Sequence, residues 1–193
     1  MANVKPKPAT YADIEALPPH VTGEIIFGSL VTQPRPARRH SRAATRMGMV
    51  LGKPFDMGDD GPGGWVFIDE AELHLGPHVL VPDIAAWRIE RFTETEEGPW
   101  YEVPPDWVCE ILSPSTSKRD RTDKMRIYAT CQVQHLWLLD PADRLLEVYE
   151  RQGSSWLRTQ IFQDREDVKA PPFDAITFSL GQFWPFDPPS TEV

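Results

Sequence analysis

Cysteines are scarce in this chain of 193 residues, and neither of the two indicates a disulfide or a metal site. Cys109 and Cys131 lack the paired spacing of a zinc ligand set, and no disulfide is needed to explain either residue. Cys109 precedes Glu110 on a predicted strand, where successive side chains point to opposite faces. We therefore expect Cys109 to face away from that acid and to pack as a small hydrophobe.

Long apolar runs are absent as well. The longest runs are too short to span a bilayer, and the first eight residues lack the apolar core of a secretory signal. These absences predict a cytoplasmic protein with no membrane segment.

The signatures of several enzyme classes are also missing. The histidines outside the basic cluster described below show neither an HExxH motif nor paired ligand spacing, which argues against a zinc enzyme: His20, His74, His78 and His135. Neither a Gly-rich phosphate loop nor a nucleophile elbow occurs. The chemistry has to be sought in other residues.

Positive charge is in short supply. Lys and Arg number 20 against 29 Asp and Glu, which gives a net charge of −9 and a pI near 5.0. This balance argues against a general nucleic-acid coat protein. A nuclease stays open, because a metal cluster needs acids and a phosphate needs only a local positive face.

The length fits one domain with a sizeable core. We expect a flexible arm at residues 1–9, one domain at residues 10–186 and a loose tail at residues 187–193. Helices are predicted at residues 11–17, about 40–51 and about 117–130. Strands are predicted at residues 23–31 (a pair bent at Gly28), 65–68, 71–75, 79–87, 107–112, 136–139, 145–151 and 156–162, with an exposed excursion over residues 88–105.

The carboxylates inside apolar runs are the most informative feature. Glu110 lies in the run 107–112, and an ionised Glu buried there would cost several kcal/mol unless it is paired or bound to a cation. Asp83 lies at the centre of a second apolar run, residues 79–87, and is its best candidate partner. The alternative for Asp83 is a solvent-facing acid at an edge or bulge, which Pro82 would mark. If both acids are buried on neighbouring strands, they can share a divalent ion.

Lys124 follows on the next predicted helix, one turn before Tyr128 and one turn after Asp120. It can be a solvated residue paired with Asp120, which is the common outcome for such pairs. It can also project to the acids and stabilise charge on a reacting phosphate. Carboxylates with a lysine suit phosphodiester hydrolysis assisted by Mg²⁺ or Mn²⁺.

Glu24 and a basic cluster complete the candidate residues. Glu24 can be an exposed acid at the start of a strand or a further metal ligand. A dense set of cations at the start of the second helix can be a solvated face or a contact for a DNA phosphate backbone: Arg35, Arg38, Arg39, Arg42 and Arg46. His40 lies within this cluster and can be a surface residue, a phosphate contact or an accessory to the site.

A set of motifs in this order resembles the Uma-two family, a bacterial family of restriction-endonuclease-like proteins in the PD-(D/E)XK nuclease superfamily. The set comprises residues 24–31, His40, Pro82-Asp83, the run Glu110-Ile111-Leu112-Ser113-Pro114-Ser115-Thr116, Asp120, Lys124, Tyr128, Trp137 and Asp140-Pro141. The resemblance covers about residues 10–186, and its most specific part is the run that begins at Glu110. The chain departs from the family pattern at Phe27 and Ser29, where acids are common, and at Gln134 and His135.

The resemblance implies an α/β (α+β) fold with a restriction-endonuclease-like mixed sheet flanked by helices and an additional N-terminal strand pair. It implies Asp83 and Glu110 as metal ligands with Glu24 as the additional acid. It also implies that Lys124 replaces the lysine that normally follows the Glu by two residues, where this chain has Leu112. A homodimer is expected from the same resemblance.

The resulting hypothesis is a DNA endonuclease that depends on Mg²⁺ or Mn²⁺, with Asp83, Glu110, Lys124 and Glu24 at its site. A non-catalytic protein with the nuclease fold, acting as a binding or accessory partner in a defence or mobile-element system, is the main alternative. A hydrolase for a phosphate ester other than nucleic acid is a third.

Overall fold

The computed structural model describes residues 7–33, 35–92 and 98–184. The helices in these ranges are α1 (Tyr11–Glu15), α2 (Arg38–Leu51), α3 (Ser117–Arg119) and α4 (Met125–Thr130). A π-helical turn, Gly52–Asp56, extends α2, and a second one, Asp120–Lys124, joins α3 to α4. A short 3₁₀ helix, Leu180–Phe183, follows near the end. None of the helices in this part of the chain has the length and apolar content that a bilayer crossing requires.

The strands of the described residues form three sheets. They are β1 (Gly23–Ile26), β2 (Ser29–Thr32), β3 (Trp65–Asp69), β4 (Leu73–Leu75), β5 (His78–Leu80), β6 (Ile84–Arg88), β7 (Trp107–Ile111), β8 (His135–Asp140), β9 (Leu145–Gln152), β10 (Ser155–Gln163), β11 (Asp167–Val168) and β12 (Phe178–Ser179). The largest sheet has the order β10-β9-β8-β7-β6-β3, a smaller one has the order β2-β1-β5-β4, and β11 pairs with β12.

The six-stranded sheet is mixed, because β7 and β8 run parallel while its other pairs are antiparallel. Its central strand β7 is buried along its whole length, as its nearly continuous apolar sequence predicts. The parallel crossover from β7 to β8 is made by the continuous helical segment 117–130, which carries Lys124. The expected mixed α+β fold is therefore observed.

The two faces of this sheet pack against different layers. Trp107, Cys109 and Ile111 pack with Met47 of α2 and with the C-terminal aromatic residues, including Phe173. Val108 and Leu112 point the other way and pack with the four-stranded sheet and α4. Cys109 is thus a buried free thiol on the face opposite to Glu110, as expected, and Cys131 is also free.

The apolar run 79–87 is not one strand. Its first part belongs to β5 in the four-stranded sheet, and its second part is β6 in the six-stranded sheet. Pro82 lies between the two strands, and because it has no backbone N–H it cannot donate a hydrogen bond to a neighbouring strand. Asp83 therefore precedes β6 instead of lying inside a strand, and its side chain keeps 16% of its exposure. The prediction of a fully strand-buried Asp83 was wrong.

Two further predictions concern the N-terminal strand pair and the segment 88–105. The N-terminal pair β1–β2 turns at Gly28 as expected. The excursion at residues 88–105 was predicted to be exposed, but Tyr101 bridges to Leu73 and the Val103 carbonyl accepts the Trp87 indole N–H at 2.8 Å. This segment therefore packs on the four-stranded sheet in the part that the structure describes.

The predicted terminal segments fall largely outside the described residues. Of the arm at residues 1–9, the first six lie outside them, while the Ala9 N–H donates to the Gly28 carbonyl at 2.8 Å. The tail at residues 187–193 lies outside them entirely.

Candidate active site

A pocket of about 660 Å³ opens where β6 begins, β7 ends and the segment 117–130 begins. Its lining includes four acids, Glu70, Asp83, Glu110 and Asp120, together with Lys124. The lining also includes His40 and Arg35, which come from the start of α2 and the residues before it. Most of the residues that the sequence singled out thus surround one cavity.

Asp83 and Glu110 lie opposite each other, Asp83 just before β6 and Glu110 on the neighbouring strand β7. Ile84 pairs with Cys109 in antiparallel register, so the next residues outward, Asp83 and Glu110, share one face of the sheet. Asp83 Oδ2 accepts the backbone N–H of Ile111 at 2.6 Å. This bond fixes the Asp83 carboxylate to the strand that carries Glu110.

Lys124 is fully buried and lies between two acids. Its Nζ is 2.7 Å from Glu110 Oε1 and 3.1 Å from Glu24 Oε1, and it donates to the Val81 carbonyl at 3.3 Å. Burial alone lowers the pKa of this ammonium, but the charges of Glu110 and Glu24 outweigh it and hold the pKa above its ordinary value. The alternative of a solvated Lys124 was wrong, and so was that of an exposed Glu24, which has no exposed surface.

Glu110 also accepts the Tyr128 hydroxyl, at 2.6 Å, on the oxygen that Lys124 contacts. Burial raises the pKa of Glu110 well above its ordinary value and outweighs the opposing effect of Lys124, while the neighbouring acids raise it further. Glu24, Glu110 and Lys124 together carry a net charge of −1 when all are ionised. Such a buried excess of negative charge favours a proton or a cation.

Asp120 enters the pocket through the π-helical turn Asp120–Lys124. Burial raises the pKa of Asp120, and the opposing effects of Lys124 and Thr116 do not cancel the shift. Both Asp120 and Lys124 are buried and line the pocket. A π-helical turn changes the facing of side chains along a helix and often occurs at functional sites.

His40 binds the other oxygen of Asp83, with its Nε2 3.0 Å from Oδ1. Burial lowers the pKa of His40, but the hydrogen bond and charge of Asp83 leave it raised overall. The remaining ring nitrogen, Nδ1, is buried without a hydrogen-bond partner among the described residues. Of the three readings of His40, the structure thus favours an accessory to the site.

The basic cluster begins at the pocket and continues into α2. Arg35 lines the pocket itself, and the next cations lie on the first turns of α2, which begins at Arg38. The other exposed members of the cluster are Arg38, Arg39 and Arg42, while Arg46 is half-buried.

Two features of this site had weak signals in the sequence. Asp120 could be recognised only through its spacing of four residues from Lys124. The Val81 peptide gave no signal, yet its N–H donates to Glu24 at 2.9 Å and its carbonyl accepts from Lys124. Within the described residues, His, Cys, Asp and Glu side chains do not form a group of three that is placed to hold a metal.

Two comparisons with known proteins found similarity. A family model described as "Putative restriction endonuclease" matches residues 8–181. A crystal structure of "a putative nuclease belonging to DUF820" from Anabaena variabilis ATCC 29413 is 25% identical, with a TM-score of 0.76 over 92% of this chain and 98% of that chain. No curated protein matches the chain.

Proposed function

The chain belongs to the Uma2 (Uma-two) family, described as "Putative restriction endonuclease", and from this premise we propose that it is a metal-dependent DNA endonuclease of the PD-(D/E)XK type. The observation that carries the proposal is the pair Asp83 and Glu110, opposed in one pocket beside the buried ammonium of Lys124. The predicted homodimer stays an expectation from the family resemblance.

The residues of the pocket fit a divalent ion that prefers oxygen ligands. Asp83 and Glu110 offer carboxylates, and the negative charge of the buried cluster favours a cation. Mg²⁺ commonly binds through one or two carboxylates, with water and substrate phosphates as its other ligands. Two protein ligands therefore suffice, and the lack of a three-residue group among the described residues argues against zinc more than against Mg²⁺ or Mn²⁺.

Asp83 and Glu110 would hold this ion in our proposal. When bound, the ion supplies activation of water and neutralisation of charge on the phosphate. Asp83 is suited to the task because the Ile111 N–H and His40 fix its carboxylate from two sides.

Lys124 supplies the fixed positive charge. Its Nζ is 2.7 Å from Glu110 Oε1, so a phosphate bound beside Asp83 and Glu110 would also lie close to this positive charge. A cation held in a dry site stabilises developing negative charge more strongly than one in water. DNA would reach the pocket along the basic start of α2, where Arg35 and Arg38 can contact phosphates.

The test is a cleavage assay on plasmid, linear and single-stranded DNA with Mg²⁺ or Mn²⁺ and with EDTA. The wild-type protein is expected to cleave only with the metal, and the Glu110→Gln variant is expected to be inactive. Glu147→Gln is a matched control, because Glu147 is a buried acid of the same sheet that pairs with Arg121 and Arg158 and does not line the pocket. Equal cleavage by the wild-type and Glu110→Gln proteins would overturn the proposal.

One observation favours a second candidate, a non-catalytic protein with the nuclease fold. Lys124 already neutralises part of the charge of Glu110 and Glu24, so a structural ion-pair network can account for the buried acids without a metal. Calorimetry with Mn²⁺ separates the two candidates, since no heat of binding at millimolar ion favours the non-catalytic protein.

A further inference from the structure

Glu24 differs from the other acids of the site in its access to the pocket. Asp83, Glu110 and Asp120 all line the pocket, whereas Glu24 does not and has no exposed surface. Lys124 does line the pocket, and its ammonium contacts Glu24 on one side and Glu110 on the other. An ion in the pocket would therefore meet Lys124 and Glu110 rather than Glu24.

One oxygen of Glu24 is already engaged twice by the protein. Oε1 accepts the Val81 N–H at 2.9 Å and lies 3.1 Å from the Lys124 ammonium. The Val81 carbonyl accepts from the same ammonium at 3.3 Å. The carboxylate, the peptide group and the ammonium form a closed set of contacts that joins β1, the segment before Asp83 and the helical segment 117–130.

The second oxygen of Glu24 is not held by the protein in the same way. Oε2 is buried and has no hydrogen-bond partner among the described residues. A buried carboxylate in this state is tolerated only with strong compensation, and the ammonium of Lys124 supplies a full opposite charge at short range. The two groups are therefore electrostatically dependent on each other.

We propose that Glu24 is a positioning residue that holds the charged side chain of Lys124 beside Glu110, and that it is not a metal ligand. This inference rests on the proposed function for its catalytic meaning, but the contact itself can be measured without cleavage. With a divalent ion held by Asp83 and Glu110, Glu24 would still hold the Lys124 ammonium in place. The family resemblance implied a metal-binding role for Glu24.

The test uses Glu24→Gln, which keeps the shape of the side chain and removes its charge. In a ¹H–¹⁵N spectrum of lysine side chains, the wild-type protein should show a protected ammonium signal that is absent in Lys124→Met. Glu24→Gln should weaken or remove this signal, and Glu147→Gln should leave it unchanged. An unchanged Lys124 signal in Glu24→Gln would overturn the proposal, whether or not the protein cleaves DNA.

Metal binding gives the second measurement. By calorimetry, Mn²⁺ affinity in Glu24→Gln should stay within about threefold of wild type, while Glu110→Gln should lose at least about tenfold. If the protein cleaves DNA, kcat of Glu24→Gln should fall by about tenfold or more at unchanged KM. A loss of Mn²⁺ affinity as large as that of Glu110→Gln would make Glu24 a ligand and refute the assignment.

Folding of the variant is checked by thermal unfolding. If Glu24→Gln does not fold, Glu24→Asp takes its place, because it retains the charge but is too short to reach both Val81 and Lys124. The same losses are expected for it: a weakened ammonium signal and preserved Mn²⁺ affinity. A wild-type protein that binds Mn²⁺ but cuts no DNA would refute the proposed function and leave the Glu24–Lys124 assignment to be decided by the spectrum.

Discussion

The carboxylate of Asp83 is tied to the backbone of Ile111 by a hydrogen bond of 2.6 Å, one residue beyond Glu110 on the neighbouring strand. On its other side, the Asp83 carbonyl accepts the Glu70 N–H at 3.2 Å, so Asp83 is bonded to both neighbouring segments just after Pro82. The position of Asp83 relative to Glu110 thus depends on the hydrogen bond between the Asp83 side chain and the backbone of β7.

Two substitutions of Asp83 should separate its structural and chemical roles. Asp83→Asn can still accept the Ile111 N–H, so its free energy of unfolding should stay within about 1 kcal/mol of wild type. Asp83→Ala leaves that N–H unsatisfied and should cost about 1–3 kcal/mol. Urea unfolding measures the stability of both variants. In calorimetry, both variants should lose Mn²⁺ binding. Retained Mn²⁺ affinity in Asp83→Asn would remove Asp83 from the set of ligands.

Lys124→Met should be strongly destabilising at neutral pH. It leaves the buried carboxylates of Glu24 and Glu110 without their cation, and breaking a buried pair in this way costs about 3–5 kcal/mol. The loss should shrink as the pH falls, since protonation removes the uncompensated charges. Urea unfolding at pH 7 and pH 5 measures it. Lys118→Met is the control, as Lys118 is exposed on the same helical segment and should change stability little.

The sequence predicts the central part of this fold well and the site only in part. The apolar runs of β7 and β8 and the helical segment 117–130 are strong local signals, so the position of Glu110 on a buried strand could be predicted. The π-helical turn Asp120–Lys124 could not, because the spacing of four residues between these two fits an ordinary α-helix equally well. Contacts between segments that are distant in the sequence could not be predicted either.

Val81 illustrates that second limit. Its peptide group joins Glu24, 57 residues earlier, to Lys124, 43 residues later, and a backbone contact of this kind has no side-chain signature. The same holds for the His40–Asp83 contact, in which a helix residue from a basic cluster meets an acid that follows a proline. Single residue types gave candidates, while the tertiary fold determined their partners.

Tyr128→Phe should destabilise the protein by about 1–3 kcal/mol, because its hydroxyl donates to the buried Glu110 carboxyl at 2.6 Å and its loss leaves a buried oxygen with one partner fewer. Tyr149→Phe is a matched control. Its hydroxyl donates to Glu147 at 2.9 Å, but Arg121 and Arg158 also pair with that acid, so the loss should stay below about 1 kcal/mol. Chemical unfolding measures the free energy of unfolding of both variants. Equal losses would contradict the idea that Glu110 depends more on its tyrosine than Glu147 does.

Affinity for Mn²⁺ should rise with pH. Burial holds the pKa of Glu110 and of Asp120 above the ordinary range, so these carboxyls retain protons that a metal must displace. In the metal-free protein the sign is reversed: a raised pKa contributes stability below the pKa of the unfolded chain, and this contribution is lost as the pH rises through the folded value. Mn²⁺ at 100 times its Kd should add about 2.7 kcal/mol.

Calorimetry and thermal unfolding between about pH 5.5 and 8 check both trends. Glu110→Gln provides the comparison, because it removes one titrating group and one ligand together, so the stabilisation by the same Mn²⁺ concentration should fall to about half or less across the whole range. An Mn²⁺ affinity that does not change with pH would show that the ion binds elsewhere.

Arg35→Ala should weaken DNA binding in a way that depends on salt. Arg35 lines the pocket, and each phosphate contact contributes about 0.9 to the slope of log K against log salt concentration, through released counterions. Removing one contact should therefore lower that slope by about 0.9 and leave Mn²⁺ affinity unchanged. Lys169→Ala is the control, since Lys169 is an exposed cation outside the pocket. Fluorescence anisotropy with a labelled duplex at several salt concentrations measures the slope, and an identical slope for Arg35→Ala and wild type would exclude a phosphate contact at Arg35.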